Sequence, residues 1–251
     1  PIPSRGLGDV YKRQVYMSMG ITAENVAKKF NISRKEQQDF AISSHSKANL
    51  ARESNLFDNE IVSITNNDEK INKDGGIRPN TSHEILDGLK LAFDENGTVT
   101  AGTASPLTDG ASAVIVCEEE YAKKNNLNIL ARIKSTAVVG CPPELMGLGP
   151  INASKKALKR ANLSISDIDI VELNEAFASQ SLACIKELKM DINKVNIHGG
   201  AIALGHPLGA TGARITGKVA TLLQNNNKKY GLATQCIGLG QGIATVLENI
   251  N

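Results

Sequence analysis

The sequence predicts an α/β fold in which helices pack in layers against a largely parallel sheet. Candidate strands near residues 130–139, 168–173 and 231–236 are separated by helical patterns at about 152–162 and 174–188. Strands that alternate with helices are typical of βαβ units and a parallel sheet. The chain has 251 residues, 41% of them apolar, and is therefore long enough to bury a sizeable core.

The first hundred residues show different patterns. Residues 1–14 share no periodicity with the rest and resemble translated adapter sequence, so we exclude them from the fold prediction; a disordered tail is the alternative. We therefore expect the native protein to begin upstream. Residues 22–49 have helical periodicity, with Ser33 and Glu36 spaced as a capping box. Residues 53–100 are polar and turn-rich, which predicts an irregular lobe.

Further elements are predicted on either side of the central strands. Residues 113–116 form a β-branched run after a turn, which predicts a buried strand. Helices are predicted at about 118–125 and from about residue 209 onward. A glycine-rich turn leads into a last strand near 242–248.

Composition and spacing exclude several classes of protein. The net charge of +2 argues against nucleic-acid binding, and no run approaches the about 18 apolar residues of a membrane span. No metal-ligand, dinucleotide or P-loop pattern occurs, so neither a metal nor a bound cofactor is predicted. Cys117 and Cys184 lie in apolar runs and are predicted to be buried thiols. Cysteines without a disulfide framework predict a reducing, cytoplasmic location.

His206 is the first candidate for chemistry. Gly205 and Pro207 predict a sharp turn around it, ahead of a helix. That turn would expose the ring at the end of a strand, where open α/β sheets bind their ligands. A structural role is the prediction for the other histidines: His45, His83 and His198.

Cys236 is the second candidate. It ends an apolar strand and precedes Gly238, Gly240 and Gly242. Glycines let a ligand approach the backbone and leave N–H groups available to an oxyanion. The alternative is a core cysteine at a hairpin whose glycines serve only the turn. Together with His206, the loop offers what acyl transfer needs, namely a base, a thiol and backbone donors.

Asn174 and Glu175 form a third candidate, where a predicted strand meets a predicted helix. Asn is a favourable N-cap, so a structural role in starting the helix stays open beside a functional one. The positive end of a helix dipole would also favour an anion or a polarised water at this place.

Three segments resemble the signature blocks of the thiolase family, in the same order and spacing. They are NEAFA at 174–178, GGAIALGHPLGATGAR at 199–214 and CIGLGQG at 236–242. Residues 19–30 and 101–113 are also similar to thiolases, and the resemblance covers nearly everything after the first 14 residues. The segment VVGCPPELMGLGP is most similar to degradative 3-ketoacyl-CoA thiolases of bacterial fatty-acid β-oxidation.

The resemblance implies an acyltransferase that uses CoA to cleave 3-oxoacyl-CoA into acetyl-CoA and a shortened acyl-CoA. CoA and acyl-CoA would be its substrates, with no cofactor. Cys236 would shuttle protons, and His206 would activate a nucleophilic cysteine and help polarise the thioester oxygen. Asn174 would hold a water at the same oxyanion site, and the Gly238 N–H would serve a second one. The positions that match the lining of the CoA channel are Met19, Arg78, Ser105, Ala176 and Phe177.

The family places its nucleophilic cysteine in a segment that this chain does not contain. The resemblance therefore implies an active parent enzyme and an inactive 251-residue fragment. It also implies a layered αβαβα fold, of which only the loop lobe and the C-terminal half are expected. The expected parts are a non-native tail at 1–14, a loop lobe over the CoA site at 15–100, the last elements of the N-terminal half at 101–126, and the C-terminal half at 127–251. Without its twin, that half is expected to expose apolar surface.

Three alternatives stay open. Ser18 stands where many biosynthetic thiolases carry a histidine, which favours the degradative direction over a biosynthetic acetoacetyl-CoA thiolase. A ketoacyl-synthase-type enzyme would use histidine or asparagine in place of the second cysteine. A non-catalytic acyl-binding protein on the same scaffold would need no acid–base pair. Family analogy implies a homodimer or tetramer, with a multifunctional β-oxidation subunit as a further possible partner.

Overall fold

The computed structural model describes residues 16–67 and 69–250, so the predicted tail at 1–14 lies outside the described residues. The helices are α1 (Met19–Phe30), α2 (Arg34–Glu53), α3 (His83–Asp87), α4 (Glu119–Lys124), α5 (Gly149–Ala161), α6 (Ala178–Leu188), α7 (Ala201–Leu204) and α8 (Thr211–Asn225). The strands are β1 (Ile64–Asn66), β2 (Glu69–Ile71), β3 (Arg132–Gly140), β4 (Ile170–Leu173), β5 (Tyr230–Ile237) and β6 (Gln241–Glu248).

Four of the strands form one mixed sheet in the order β3-β6-β5-β4. β4 and β5 are parallel, whereas β6 is antiparallel to both of its neighbours. The prediction of a largely parallel sheet is therefore wrong for this sheet, because the short turn between β5 and β6 can only form a hairpin. The parallel pair is joined through α6, α7 and α8, as a crossover connection requires.

Helices cover both faces of this sheet. On one face α5 and α6 pack over Val171 and Leu173 of β4. On the other face α8 packs over Ile170 and Ala233. Because successive strand residues point to opposite faces, Glu172 lies on the α8 face beside Ile170.

The irregular lobe predicted at 53–100 is present and contains α3 and the β1–β2 hairpin. The predicted capping box before α2 is confirmed: Ser33 Oγ accepts from the Glu36 N–H at 3.2 Å, and Glu36 Oε2 accepts from the Ser33 N–H at 2.7 Å. Both α1 and α2, which precede this irregular region, pack against α6, so these two helices lie beside the segment that follows β4. Across the described ranges, every helix is too short or too polar to cross a bilayer.

The strand predicted at residues 113–116 is absent. Residues 111–118 are exposed and have no regular structure, and the Ile115 side chain is 90% exposed. The physical reason is that the sheets of the described residues offer this run no pairing strand. For the same reason Cys117, predicted to be buried, is exposed, whereas Cys184 is buried as predicted.

The helix predicted to start at residue 174 starts later, at Ala178. The Asn174 N–H donates to Thr234 O at 3.0 Å and so extends the pairing of β4 with β5. Phe177, not Asn174, is the N-cap of α6, and it forms an isolated antiparallel bridge with Ala104. The interpretation of Asn174 as a helix cap is therefore wrong, which leaves its side chain to another role.

Candidate active site

The predicted catalytic residues gather where the parallel strands β4 and β5 end. Asn174 directly follows β4, and Cys236 lies near the end of β5. The ring of His206, in the loop between α7 and α8, lies beside Asn174, with His206 Nε2 3.4 Å from Asn174 Nδ2. The carboxyl ends of parallel strands are where open α/β sheets bind ligands.

The loop that carries His206 is fixed by its backbone. Gly205 has a φ of +93°, and a Cβ there would lie 2.5 Å from Thr108 Oγ1, so only glycine fits. The His206 N–H donates to Thr108 Oγ1 at 3.3 Å. Beyond Pro207, α8 begins at Thr211, slightly later than predicted.

The hydrogen bonds of the His206 ring favour one tautomer. Thr211 Oγ1 donates its proton to Pro207 O at 3.0 Å, so it accepts from His206 Nδ1, 2.7 Å away. This arrangement favours the tautomer with the proton on Nδ1, in which Nε2 keeps a lone pair that accepts from the Asn174 amide. Burial lowers the pKa of His206, and the charge of Arg214 lowers it further. The ring is thus neutral at neutral pH, with its basic nitrogen turned to Asn174.

Cys236 is a buried, protonated thiol. Burial raises its pKa to about 12, against a backbone hydrogen bond that lowers it. At neutral pH such a thiol holds its proton, and the thiolate left after donation is a strong base. Cys236 is therefore suited to give a proton and to take one back.

Most of the residues predicted to line a CoA channel surround this thiol. Met19, Ala176 and Phe177 belong to the same apolar cluster as Cys236. Gly238 lies in the exposed turn after β5, where a Cβ would be 4.0 Å from Met19 Sδ. The thiol and the turn are thus adjacent to one apolar wall.

Ser105 also joins the group, and Arg78 does not. Ser105 donates its N–H and its hydroxyl to Ala176 O, at 3.0 and 3.2 Å. Arg78 is an exposed residue whose backbone N–H donates to His45 Nδ1 at 3.1 Å. The described contacts therefore do not connect Arg78 with the residues around Cys236.

The other histidines have partners of their own, in keeping with their predicted structural roles. His45 is buried, and burial lowers its pKa to about 4. His198 packs edge-on against Phe57 with the ring centroids 6.1 Å apart. His83 Nε2 lies 2.8 Å from Asp39 Oδ1.

Sequence reasoning missed Thr211. Its hydroxyl favours one His206 tautomer, yet a threonine at the start of a helix is common and carries no functional signal by itself. Only its place shortly after the Gly205-His206-Pro207 turn could have drawn attention to it. In the described part of the chain, no group of three or more His, Cys, Asp or Glu residues is arranged to hold a metal.

Family models match both parts of the chain. The model described as thiolase, N-terminal domain, matches residues 2–120. The model described as thiolase, C-terminal domain, matches residues 127–249.

Curated relatives agree with these matches. The 3-ketoacyl-CoA thiolase of Shewanella loihica is 54% identical over 239 residues, which are 92% of this chain and 62% of that relative. The 3-ketoacyl-CoA thiolase of Yersinia enterocolitica is 51% identical over 255 residues, covering 98% of this chain and 65% of the relative. The chain thus spans less than two thirds of the length of these relatives.

Solved structures have the same fold. Human mitochondrial 3-ketoacyl-CoA thiolase in complex with CoA superposes with a TM-score of 0.92 at 45% identity, over 94% of this chain and 60% of that one. The acetyl-CoA acetyltransferase of Bacillus anthracis superposes with a TM-score of 0.89 at 43% identity, over 92% of this chain and 60% of that one. The chain therefore has the α/β thiolase fold and belongs to the thiolase family.

Proposed function

We propose that this chain carries the proton-transfer part of a thiolase site, in a protein that cleaves 3-oxoacyl-CoA with CoA to acetyl-CoA and a shortened acyl-CoA. The observation that carries the proposal is the placement of two groups at the ends of adjacent strands: a neutral His206 whose ring contacts Asn174 just after β4, and a protonated Cys236 near the end of β5. The names of the relatives, 3-ketoacyl-CoA thiolases, support the reaction. Fatty-acid β-oxidation would be its context.

In the first half-reaction a nucleophilic cysteine, which the family supplies from outside this chain, attacks the C3 carbonyl carbon. His206 Nε2 takes the proton of that cysteine. The bond between C2 and C3 breaks, and its electron pair stays on C2 of the departing acetyl-CoA carbanion. Cys236 gives its proton to that carbon, so acetyl-CoA leaves and Cys236 becomes a thiolate.

In the second half-reaction the Cys236 thiolate takes the proton of an incoming CoA thiol. The CoA thiolate attacks the acyl-enzyme thioester, and the proton on His206 returns to the nucleophilic cysteine as it leaves. An oxyanion beside Asn174 and His206 would be stabilised by a water that Asn174 holds, and one beside the turn by the Gly238 N–H. Both groups end the cycle in their starting protonation states.

The reverse condensation of two acetyl-CoA molecules is a second candidate. The structure of the Bacillus anthracis acetyl-CoA acetyltransferase supports it, since it superposes almost as well as the human thiolase. The same acid–base pair would serve both directions, so the two candidates differ only in substrate preference.

We further propose a homodimer or tetramer in a reducing cytoplasm, acting on CoA thioesters. All four cysteines are free thiols, which supports a reducing compartment. Sedimentation velocity of a chimera that joins this chain to the unmatched part of the Shewanella loihica relative would test the oligomeric state.

The activity is tested on a chimera that joins the unmatched part of the Shewanella loihica relative to residues 16–251. We expect CoA-dependent formation of acetyl-CoA from a 3-oxoacyl-CoA, followed by chromatography. Cys236→Ala and His206→Asn are each expected to lower kcat about 10²- to 10⁴-fold, as loss of an acid–base group does. Cys117→Ala, at an exposed thiol, is the matched control and should keep full activity.

Other outcomes would identify the alternatives. Near-full activity of the Cys236→Ala chimera would favour a ketoacyl-synthase-type enzyme and contradict the role of Cys236. A chimera that binds acyl-CoA without turnover in either direction would favour the acyl-binding protein.

A further inference from the structure

Glu175 is a fully buried carboxylate that directly follows Asn174 in the chain. Its exposed fraction is 1%. Oε1 accepts from Asn196 Nδ2 at 2.8 Å. Oε2 accepts from the Ser44 hydroxyl at 2.6 Å and from the Ile202 N–H at 3.1 Å. The carboxylate is thus held by three donors, and none of the proposed proton transfers uses it.

These donors come from three separate segments. Ser44 lies on α2, Asn196 in the loop after the α6 crossover, and Ile202 in α7. Ser44 Oγ also accepts from the Gly200 N–H at 3.1 Å. A Cβ on Gly200 would lie 2.2 Å from the carboxyl carbon of Glu175, so the Gly200 backbone packs directly against this side chain. Glu175 therefore forms hydrogen bonds that connect α2, the end of β4 and the α7 segment that leads to His206.

The contacts of Asn196 connect this point to the end of β4. Asn196 Oδ1 accepts from the Leu173 N–H at 2.9 Å, and Asn196 Nδ2 donates to Leu173 O at 2.8 Å. Leu173 is the residue before Asn174, so the position of Asn174 depends on the same amide that Glu175 holds. The network therefore fixes the strand end from which Asn174 reaches His206.

The contact with Ile202 connects the same carboxylate to the histidine. α7 ends at Leu204 and is followed by the constrained turn at Gly205. Few flexible bonds lie between Ile202 and His206, so a shift of α7 would move the imidazole. The Asn174–His206 contact at 3.4 Å is long and would be lost after a small displacement.

We propose that Glu175 is a positioning residue, whose buried carboxylate holds the 196–204 segment against the end of β4 so that His206 Nε2 meets Asn174. It acts through His206 and touches no reacting atom. This inference deepens the proposed function of the same site. Its first test needs no catalytic activity, so failure of the positioning role and failure of the thiolase assignment are distinguishable.

The first test is NMR of the 251-residue chain with ¹⁵N-labelled histidine. Glu175→Gln keeps the shape but turns an NH₂ group toward one of the three donors. We expect the Nδ1–H tautomer of His206 to lose its dominance and the apparent pKa of His206 to change by half a unit or more. Glu172→Gln is the matched control, because Glu172 is equally buried and its Oε1 has no hydrogen-bond partner among the described residues. It should leave the His206 tautomer unchanged, since Glu172 makes none of the hydrogen bonds that hold the 196–204 segment.

The second test is a double-mutant cycle in the chimera. We expect Glu175→Gln to lower kcat about 10- to 100-fold with KM changed less than 3-fold, and to have less than a 2-fold effect when His206→Asn is already present. If Glu175→Gln fails to fold, Ser44→Ala removes a single donor and should shift the same signals to a smaller extent.

Three results would overturn the proposal. One is an unchanged His206 spectrum in Glu175→Gln or, where that variant does not fold, in Ser44→Ala. Another is an equal change in the Glu172→Gln control. The third is an undiminished effect of Glu175→Gln on kcat in the His206→Asn background.

Discussion

The hydroxyl of Thr211 favours one tautomer of the neutral His206 ring. Its oxygen donates to Pro207 O and accepts from His206 Nδ1, so a single side chain favours a ring proton on the nitrogen away from Asn174. An imidazole without this partner would be free to carry its proton on Nε2, where it could not act as a base. The proposed catalytic base thus depends on a neighbour with no reactivity of its own.

Replacing that hydroxyl tests the dependence. Thr211→Val keeps the volume and leaves the Nδ1–H without an acceptor, at a cost of about 1–3 kcal/mol for the Nδ1–H tautomer. We expect kcat of the chimera to fall about tenfold or more with KM nearly unchanged, and the Nε2–H tautomer to appear in ¹⁵N spectra. The control is Thr216→Val, on the same helix, whose hydroxyl donates to Gly212 O at 2.7 Å. Equal losses in both variants would refute the role of Thr211.

The positions of single site residues were predicted from the sequence only where the neighbouring residues determine them. The glycines beside His206 and Cys236 indicated a ring and a thiol at strand ends. Cys236 lies near the end of β5, whereas His206 follows a short helix and only its ring reaches the end of β4, beside Asn174. The cap role considered for Asn174 was wrong, because pairing with Thr234 keeps the backbone extended there. That pairing joins segments far apart in the chain, and no local pattern contains it.

Strand β4 and helix α8 enclose charged groups behind the site. Glu172 lies on the α8 face of β4, and burial raises its pKa to about 7, although Arg214 and Lys218 of α8 oppose the shift. Lys218 is itself buried and forms an ion pair with Glu60 at 2.7 Å. Its ammonium group also lies 4.6 Å from the ring centroid of Phe57. The packing of α8 against β4 therefore includes a carboxyl group that resists ionisation.

The raised pKa makes a prediction about stability. For an acid whose folded pKa exceeds its ordinary value of 4.5, the contribution to stability is complete below pH 4.5 and is lost as pH rises through about 7. The loss amounts to about 3 kcal/mol for a shift of this size. We expect Glu172→Gln to gain stability relative to the parent over this range, measured by urea unfolding at several pH values. Glu187→Gln, on the exposed side of α6, is the control. A parent and a Glu172→Gln variant with parallel pH profiles would contradict the prediction.

The strands of the sheet show which features a local sequence pattern can predict and which it cannot. β5, β6 and their glycine turn were predicted closely, because alternation and a short turn are local signals. The mixed strand order was not predicted, since β3 pairs with β6 from the far end of the described chain. Residues 113–116 have the sequence pattern of a strand but form none, because no strand of the described residues lies beside them to pair with.

The outer edge of the sheet is protected by side chains of α5. Lys156 Nζ donates to Val138 O at 3.3 Å, and Arg160 donates to Thr136 O. These carbonyls belong to β3, which stands at the end of the sheet order. Cationic side chains on an edge strand hinder pairing with another chain. Of the surfaces of the whole molecule, this edge is therefore a poor place for self-association.

The segment at 111–118, unlike the protected edge of the sheet, exposes apolar side chains. Ser112 Oγ donates to Ala210 O at 2.6 Å, and Val114 lies close to Gly217 of α8, so the start of the segment is attached to the fold. Beyond it the Ile115 and Val116 side chains are 90% and 68% exposed. A contiguous, β-branched, exposed run with no pairing strand is a site for association, unlike single exposed apolar residues.

A charge in this run should therefore reduce self-association of the 251-residue chain. We expect Ile115→Lys to lower the fraction of oligomer in sedimentation velocity and the fluorescence of bound ANS, because it interrupts the apolar run. The unfolding midpoint should stay within the experimental error, since the replaced side chain is not packed. Leu50→Lys, at an isolated residue of α2 that is 66% exposed, is the control and should change neither readout. Equal association of the parent and Ile115→Lys would show that another surface drives it, and an effect of similar size in Leu50→Lys would show that net charge alone accounts for the change.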